Sequence, residues 1–360
     1  MDVFESFPEQ AEAKRLLRAA LVEGPAHAYL FHGPPGVGKR AAATAFAAEL
    51  IGDVSRVKSG VHPDLYIVEP LGDQIRIDDV RELRRDLHMR PFEAGRRVYL
   101  VFSAETLNED AADALLKDLE EPPPYAVIVL VADDLGPLPE TIRSRCQLVP
   151  FTRLSERALR EEIAARAPGL EPAETASFAR LAAGRLDRAA RILDPASARR
   201  RETLLDVARS VYTDPEFDPG DAAQRILDGA RERAAQARQE AEAELETRDL
   251  PAREAEQRVR RAARGAERDE LLAALEELAS WYRDLVVVAV GAERAVVHID
   301  RLAVLAEDGA TERLAAAERA CELVRETWRA FEEFNLSPPL AFEALFVKLR
   351  RELGTAPVLA

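Results

Sequence analysis

Gly33-Pro34-Pro35-Gly36-Val37-Gly38-Lys39 has the spacing of a phosphate-binding loop, and Arg40 stands where such loops carry Ser or Thr. In G-x-x-x-x-G-K-[ST] the glycines let backbone N–H groups turn toward phosphates, the lysine reaches the terminal phosphates, and the hydroxyl holds Mg2+. Arg40 brings no such oxygen. Gly33, Pro34, Gly36, Val37, Gly38, Lys39 and Arg40 are the candidate contacts for ATP or ADP, and the N-terminus of the following helix favours an anion. Metal-dependent hydrolysis needs a second element, an apolar strand ending in carboxylates that hold Mg2+ and polarise the attacking water. The strand that should carry it, Val98-Tyr99-Leu100-Val101, ends in Phe102-Ser103. Glu105, two residues on, is either a stand-in base or an ordinary surface or capping residue. The loop thus predicts nucleotide-binding ancestry with damaged hydrolysis.

The elements that must position this loop are legible from hydrophobic periodicity. Apolar runs at 28–32, 65–68, 98–102, 126–131 and 148–151 alternate with helical spacing at 39–51, 77–89 and 109–120, where Asp78 and Asp79 are capping candidates. Near-continuous apolar strands between helices predict a parallel sheet covered on both faces. The phosphate loop follows the first strand and precedes a helix, as the motif requires. After residue 151 the pattern is helical throughout. Residues 153–198 form an expected helical lid, broken at Pro168-Gly169 and Gly184. Residues 199–360 form an expected helical domain with its own core and a charged arm at about 221–268, interrupted by Pro251.

Composition narrows the classes. The chain has 360 residues, 47% of them hydrophobic, which is enough apolar material for two or three cores. The net charge of −15 argues against strong binding of duplex DNA by the chain alone. Arg81, Arg84, Arg85, Arg90, Arg96 and Arg97 form the one basic segment suited to DNA, with a solvated helix face as the alternative, since Glu82 and Asp86 interleave. The same choice applies to Arg258, Arg260, Arg261, Arg264 and Arg268. Cys146 and Cys321 match no C-x-x-C pattern, so neither a disulfide framework nor a metal site is expected. No apolar run is long enough to span a membrane, and a cytoplasmic protein is expected.

Ala114-Leu115-Leu116-Lys117, the Glu120-Glu121-Pro122-Pro123-Pro124 stop and Ser144-Arg145-Cys146 form a distinctive set together with His27-Ala28-Tyr29-Leu30-Phe31 and His62-Pro63-Asp64. On these residues the chain resembles the bacterial replicative clamp-loader family of the AAA+ superfamily, in particular its delta-prime branch. The resemblance covers roughly the first 150 residues strongly, and Ser280 to Asp284 and the stretch from Asn335 to Leu349 resemble the collar domain of the same family. It implies an α/β AAA+ P-loop domain (1–152), a small helical lid (153–198) and an all-α collar (199–360). It also implies a subunit of a DNA polymerase III holoenzyme whose partners are gamma/tau-type ATPases and delta, and through them a sliding clamp and primer-template DNA. Arg145, flanked by Ser144 and Cys146, is then an arginine finger offered to a neighbouring subunit's nucleotide, unless it is simply a helix-terminal residue paired locally. Residues 52–60 contain no cysteine, so the zinc module of many family members is not expected. Around Ala132-Asp133 no Thr or Asn supplies the polar sensor, and Asp187 falls where a lid arginine is expected, with Arg185 and Arg188 nearby. The resemblance therefore implies a non-hydrolysing structural subunit; the alternative is an ATP-hydrolysing gamma/tau-like motor.

Overall fold

Every second residue of the central strands belongs to one face of the sheet and the rest to the other, and both faces are covered. In this computed structural model, which describes residues 4, 7–70, 74–245, 252–309, 311–333 and 336–354, the chain divides into two units, 1–190 and 191–360. The first unit contains α1 (Ala11–Glu23), β1 (Ala28–His32), α2 (Lys39–Ile51), α3 (Val54–Lys58), β2 (Leu65–Val68), α4 (Ile77–Leu87), β3 (Arg97–Phe102), α5 (Glu109–Glu120), β4 (Ala126–Ala132), α6 (Glu140–Arg143) and β5 (Gln147–Pro150). α7 (Glu156–Arg166), α8 (Pro172–Leu181) and the start of α9 (Leu186–Leu193) complete it.

The five strands are parallel in the order β2-β3-β4-β1-β5, so the strand leading into the phosphate loop is flanked on both sides. Tyr29, Phe31, Val98, Leu100, Val127 and Val129 pack with Phe46 and the alanines of α2. Leu30, Tyr99, Val101, Ile128 and Leu130 pack against Val80, Leu83, Leu115 and Leu119 of α4 and α5. Emptying such a site, as in Phe46→Ala, typically costs about 3–5 kcal/mol. α4 ends at Leu87, two residues short of the predicted end. Of the two capping candidates, both in the first turn, Asp79 does cap: its side chain accepts the Arg76 N–H at 2.9 Å. α5 is capped by Asn108, whose side chain accepts from Ala111 N at 2.9 Å.

The second unit is helical: α10 (Pro195–Thr213), α11 (Pro219–Leu245), α12 (Ala252–Ala289), α13 (Leu302–Asp308), α14 (Leu314–Glu333) and α15 (Pro338–Leu353). Trp281, Tyr282, Leu285, Phe342 and Phe346 anchor its core. Toward their joined ends α11 and α12 become polar, with Ala237 and Val259 as the buried residues of the seam and Arg238–Glu242 and Arg260–Glu256 pairs on the surface. The break expected at Pro251 lies outside the described residues, as does Asn335. Among the described residues no helix is long and apolar enough to cross a membrane.

Candidate nucleotide and interface site

Two close approaches hold the phosphate loop in place. Gly33 has φ +139°, and a Cβ there would fall 2.1 Å from the Phe151 carbonyl oxygen; Gly36 has φ +70° and lies against the carboxylate of Asp187. Leu186 N also donates to Gly36 O at 2.7 Å, so the first turn of α9 rests directly on the loop. Gln10, absent from the sequence reading, ties the loop to the end of β5: its side-chain amide donates to Val37 O at 3.3 Å and Thr152 O at 2.7 Å and accepts from Thr152 N at 3.0 Å. Gln10 itself has φ +53°. A buried amide with three backbone partners is worth several ordinary hydrogen bonds, and no local pattern in the sequence announces it.

Lys39 is only 4% exposed. Its ammonium donates to Gly33 O at 2.6 Å and to Pro34 O, and pairs with Asp133 Oδ1 at 2.6 Å. Asp133 follows β4 at the position where the sequence offered no polar sensor. No Thr or Asn stands there, but the Asp133 carboxylate reaches the loop lysine.

Arg40 points toward the end of β3. Its guanidinium lies 3.9 Å from the Phe102 ring centroid and pairs with Glu69 at 2.5 Å. Residue 40 and residue 102, the two departures from a metal-binding site, are therefore in contact. Ser103 follows with φ +53°, ψ +47°, a left-handed conformation that costs a non-glycine residue about 1–2 kcal/mol. It turns the chain into the 3-10 turn Ala104–Thr106. There Glu105 accepts from Asp133 N at 3.2 Å, and burial, with the Asp133 carboxylate nearby, pushes its pKa up to about 7.

At the start of α9, Asp187 is held by Arg185, Nε to Oδ1 at 3.0 Å. Burial alone would raise its pKa, but the Arg185 hydrogen bond and charge outweigh burial and keep it below the usual carboxylate value. Arg185 thus holds Asp187 in place.

Arg145 sits after α6, one third exposed, on the side of the unit formed by α5 and α6. Its Nε donates to Glu120 Oε1 at 2.8 Å, its Nη2 also meets Glu120, and its Nη1 donates to Thr141 O at 2.8 Å. Two sequence motifs far apart in the chain are here one object. Ser144 donates to Thr141 O at 3.2 Å, and Cys146 is buried, its thiol pushed up to about 12 by burial. The cysteine is thus a packing residue. His62 and Asp64 are structural as well: Asp64 accepts from the backbone N–H groups of Phe92, Glu93 and Ala94 at 2.6–2.8 Å, and His62 Nδ1 accepts from Asp64 N.

The basic segment is largely consumed by pairing. Arg81 meets Asp78 at 3.1 Å, Arg84 meets Asp118 at 2.6 Å, and Arg97, buried, meets Asp86 at 2.6 Å. This favours a self-neutralised helix face over a DNA contact.

The first unit is thus a five-stranded parallel sheet in which the phosphate-loop motif follows β1, a strand flanked by β4 and β5, with the first turn of α9 packed on that loop. The family described as "DNA polymerase III, delta subunit" matches residues 9–155. DNA polymerase III subunit delta' of Bacillus subtilis is 34% identical over 149 residues, 38% of this chain and 45% of that protein. Its counterpart in Pseudomonas aeruginosa is 40% identical over 166 residues, 41% of this chain and 50% of that protein. Subunit tau of Bacillus subtilis is 29% identical over 170 residues, 43% of this chain and 30% of that protein. A solved DNA polymerase III gamma subunit-related protein from Thermotoga maritima aligns over 95% of this chain and 99% of its own, at 17% identity and a TM-score of 0.46. Over residues 9–155 the chain is similar to this DNA polymerase III family, and the curated relatives it matches at 34–40% identity are delta' subunits. It spans half or less of the length of these curated relatives.

Proposed function

We propose that the protein is a delta-prime-type subunit of a DNA polymerase III clamp loader, assembling with gamma/tau-type ATPases and delta to help place a sliding clamp on primed DNA. In this reading it does not hydrolyse ATP; it offers Arg145 to the nucleotide of a neighbouring subunit, while its own loop retains the capacity to hold ATP or ADP. The observation that carries the reading is the contrast between two sites. Arg145 is oriented by Glu120 and Thr141 O yet one third exposed, whereas the loop's metal-binding positions hold Arg40 stacked on Phe102. A planar guanidinium at a subunit boundary stabilises charge spreading over a γ-phosphate, worth roughly 10³ to 10⁵ in rate where such fingers act. The helical unit 199–360, with its core of Trp281, Tyr282 and Phe346, suits a collar, and 153–198 a lid. In a loader reconstituted with its ATPase partners, Arg145→Ala should lower clamp loading and ATP turnover by at least tenfold with assembly intact; unchanged turnover rejects the finger.

The motor reading has one observation in its favour, the Glu105 carboxyl raised to about 7 beside Lys39 and Asp133. Steady-state ATP turnover by the isolated chain, abolished by Lys39→Ala and by Glu105→Gln, would establish it instead.

A further inference from the structure

The Mg2+ that accompanies nucleotide in phosphate-loop proteins does not fit this site. Mg2+ demands an octahedron of oxygens at short distance, and the positions that should supply them hold a guanidinium at 40, an aromatic ring at 102 and a serine in the left-handed region at 103. The surrounding carboxylates are committed elsewhere: Glu69 to Arg40, Asp133 to Lys39, and Glu105 to Asp133 N. Among the described residues no group of three or more His, Cys, Asp or Glu could hold a metal.

We propose that Arg40 replaces the metal, so that the loop takes a nucleoside di- or triphosphate in its metal-free form. The inference rests on the reading above that the loop holds nucleotide. Arg40 follows directly on Lys39 at the start of α2, and its guanidinium lies over the Phe102 ring and pairs with Glu69 through Nη1. A guanidinium held this way is a permanent cation next in sequence to the loop lysine. It presents a fork of donors that matches two phosphate oxygens. A metal-bound polyphosphate would bring a second cation toward Arg40 and finds the carboxylates of Glu69, Asp133 and Glu105 already engaged with Arg40, Lys39 and Asp133 N. A bare polyphosphate brings charge that Arg40 and Lys39 neutralise, Lys39 exchanging its Asp133 contact for a phosphate oxygen while keeping its two carbonyl partners.

Binding of ADP and of ATP to the full chain, measured by calorimetry in excess magnesium and in EDTA, tests this. The expected result is affinity in EDTA equal to or greater than that in magnesium. Arg40→Ala should weaken the EDTA affinity about tenfold, the loss of one charge-assisted hydrogen-bonding group. The side chain is 62% exposed, so this change leaves no cavity. Arg40→Ser combined with Phe102→Asp should reverse the preference toward magnesium. Binding that needs magnesium in the natural chain, or an Arg40→Ala variant that binds as well as the natural chain in EDTA, overturns the metal-free site while leaving nucleotide binding intact. No binding under either condition overturns both.

Discussion

Asp187 rests on Gly36 so closely that a Cβ added to the glycine would lie 1.7 Å from Oδ1. The first turn of α9 and the phosphate loop therefore meet directly, through this contact and the Leu186 N–Gly36 O bond at 2.7 Å. Gly36→Ala must displace the Asp187 carboxylate, at the expense of its Arg185 pair, or shift the loop. Its expected cost is about 2–4 kcal/mol, combining overpacking with the positive φ. Gly52→Ala is the control, since Gly52 lies in the left-handed region (φ +85°, ψ +13°) with nothing within 4 Å of its Cβ, and should cost about 1 kcal/mol. Hydrogen exchange localises the effect: amides of residues 185–189 should exchange faster in Gly36→Ala and unchanged in Gly52→Ala.

Glu120 acts on Arg145 as a positioning residue. Both side chains are substantially exposed, so Glu120→Gln should change stability by less than about 1 kcal/mol. In the reconstituted loader it should nonetheless reduce ATP turnover, by less than Arg145→Ala does, because Thr141 O still holds one nitrogen. If Glu120→Gln and Arg145→Ala together are no worse than Arg145→Ala alone, the two residues act as one unit; additive losses would show that Glu120 works elsewhere.

The sheet was legible because its strands are short apolar runs separated by helical spacing: β1, β2, α2 and α5 fall at the predicted bounds. α1 was not read. Its N-cap position is Gln10 in a left-handed conformation with no side-chain cap bond, and a glutamine there carries no local signal. Within the site, the loop motif and the residue types at 40 and 102 could be read from spacing. Its real geometry depends on partners 29 to 151 residues distant, namely Glu69, Phe102, Asp133 and Asp187, and no local periodicity encodes such pairings. The departures at 40 and 102 read as two separate losses; in space they form one cation–π contact.

Asp64 should make the first unit sensitive to acid. Burial opposes its ionisation, but the three N–H groups of 92–94 and nearby Arg97 outweigh that and hold its pKa below the ordinary value. A carboxylate with a depressed folded-state pKa contributes stability above its unfolded pKa of about 3.9, and that stability is lost as pH falls through the folded value. Asp64→Asn replaces one acceptor oxygen with a donor facing N–H groups, at a cost of roughly 2 kcal/mol near neutrality. Denaturation of both proteins from pH 7 to pH 2 should show this difference holding above about pH 5 and shrinking below pH 4. A difference that grows on acidification would contradict the assignment.

His298 gives the second unit the opposite dependence. It is fully buried, with Nδ1 2.8 Å from Asp284 Oδ2 and Nε2 3.2 Å from Glu277 Oε1, and Asp284 also accepts from Val297 N and His298 N. Arg201 pairs with Glu277 and Asp300, and Arg283 with Asp284. A protonated His298 balances these charges. Burial by itself lowers the imidazole pKa, yet the hydrogen bonds to Asp284 and Glu277 outweigh it and raise the value above the ordinary one. A raised folded-state pKa means that the contribution is complete below the unfolded value of about 6.5 and is lost as pH rises through the folded one. His298→Gln removes the charge at every pH and leaves two buried carboxylates short of a cation, a loss of roughly 3 kcal/mol at low pH. Opening free energies from exchange of the Val297 and residue-298 amides should therefore differ most between the two proteins near pH 5.5 and converge toward pH 9. A gap that is constant across this range would mean His298 contributes by packing against Trp281 and not by its charge.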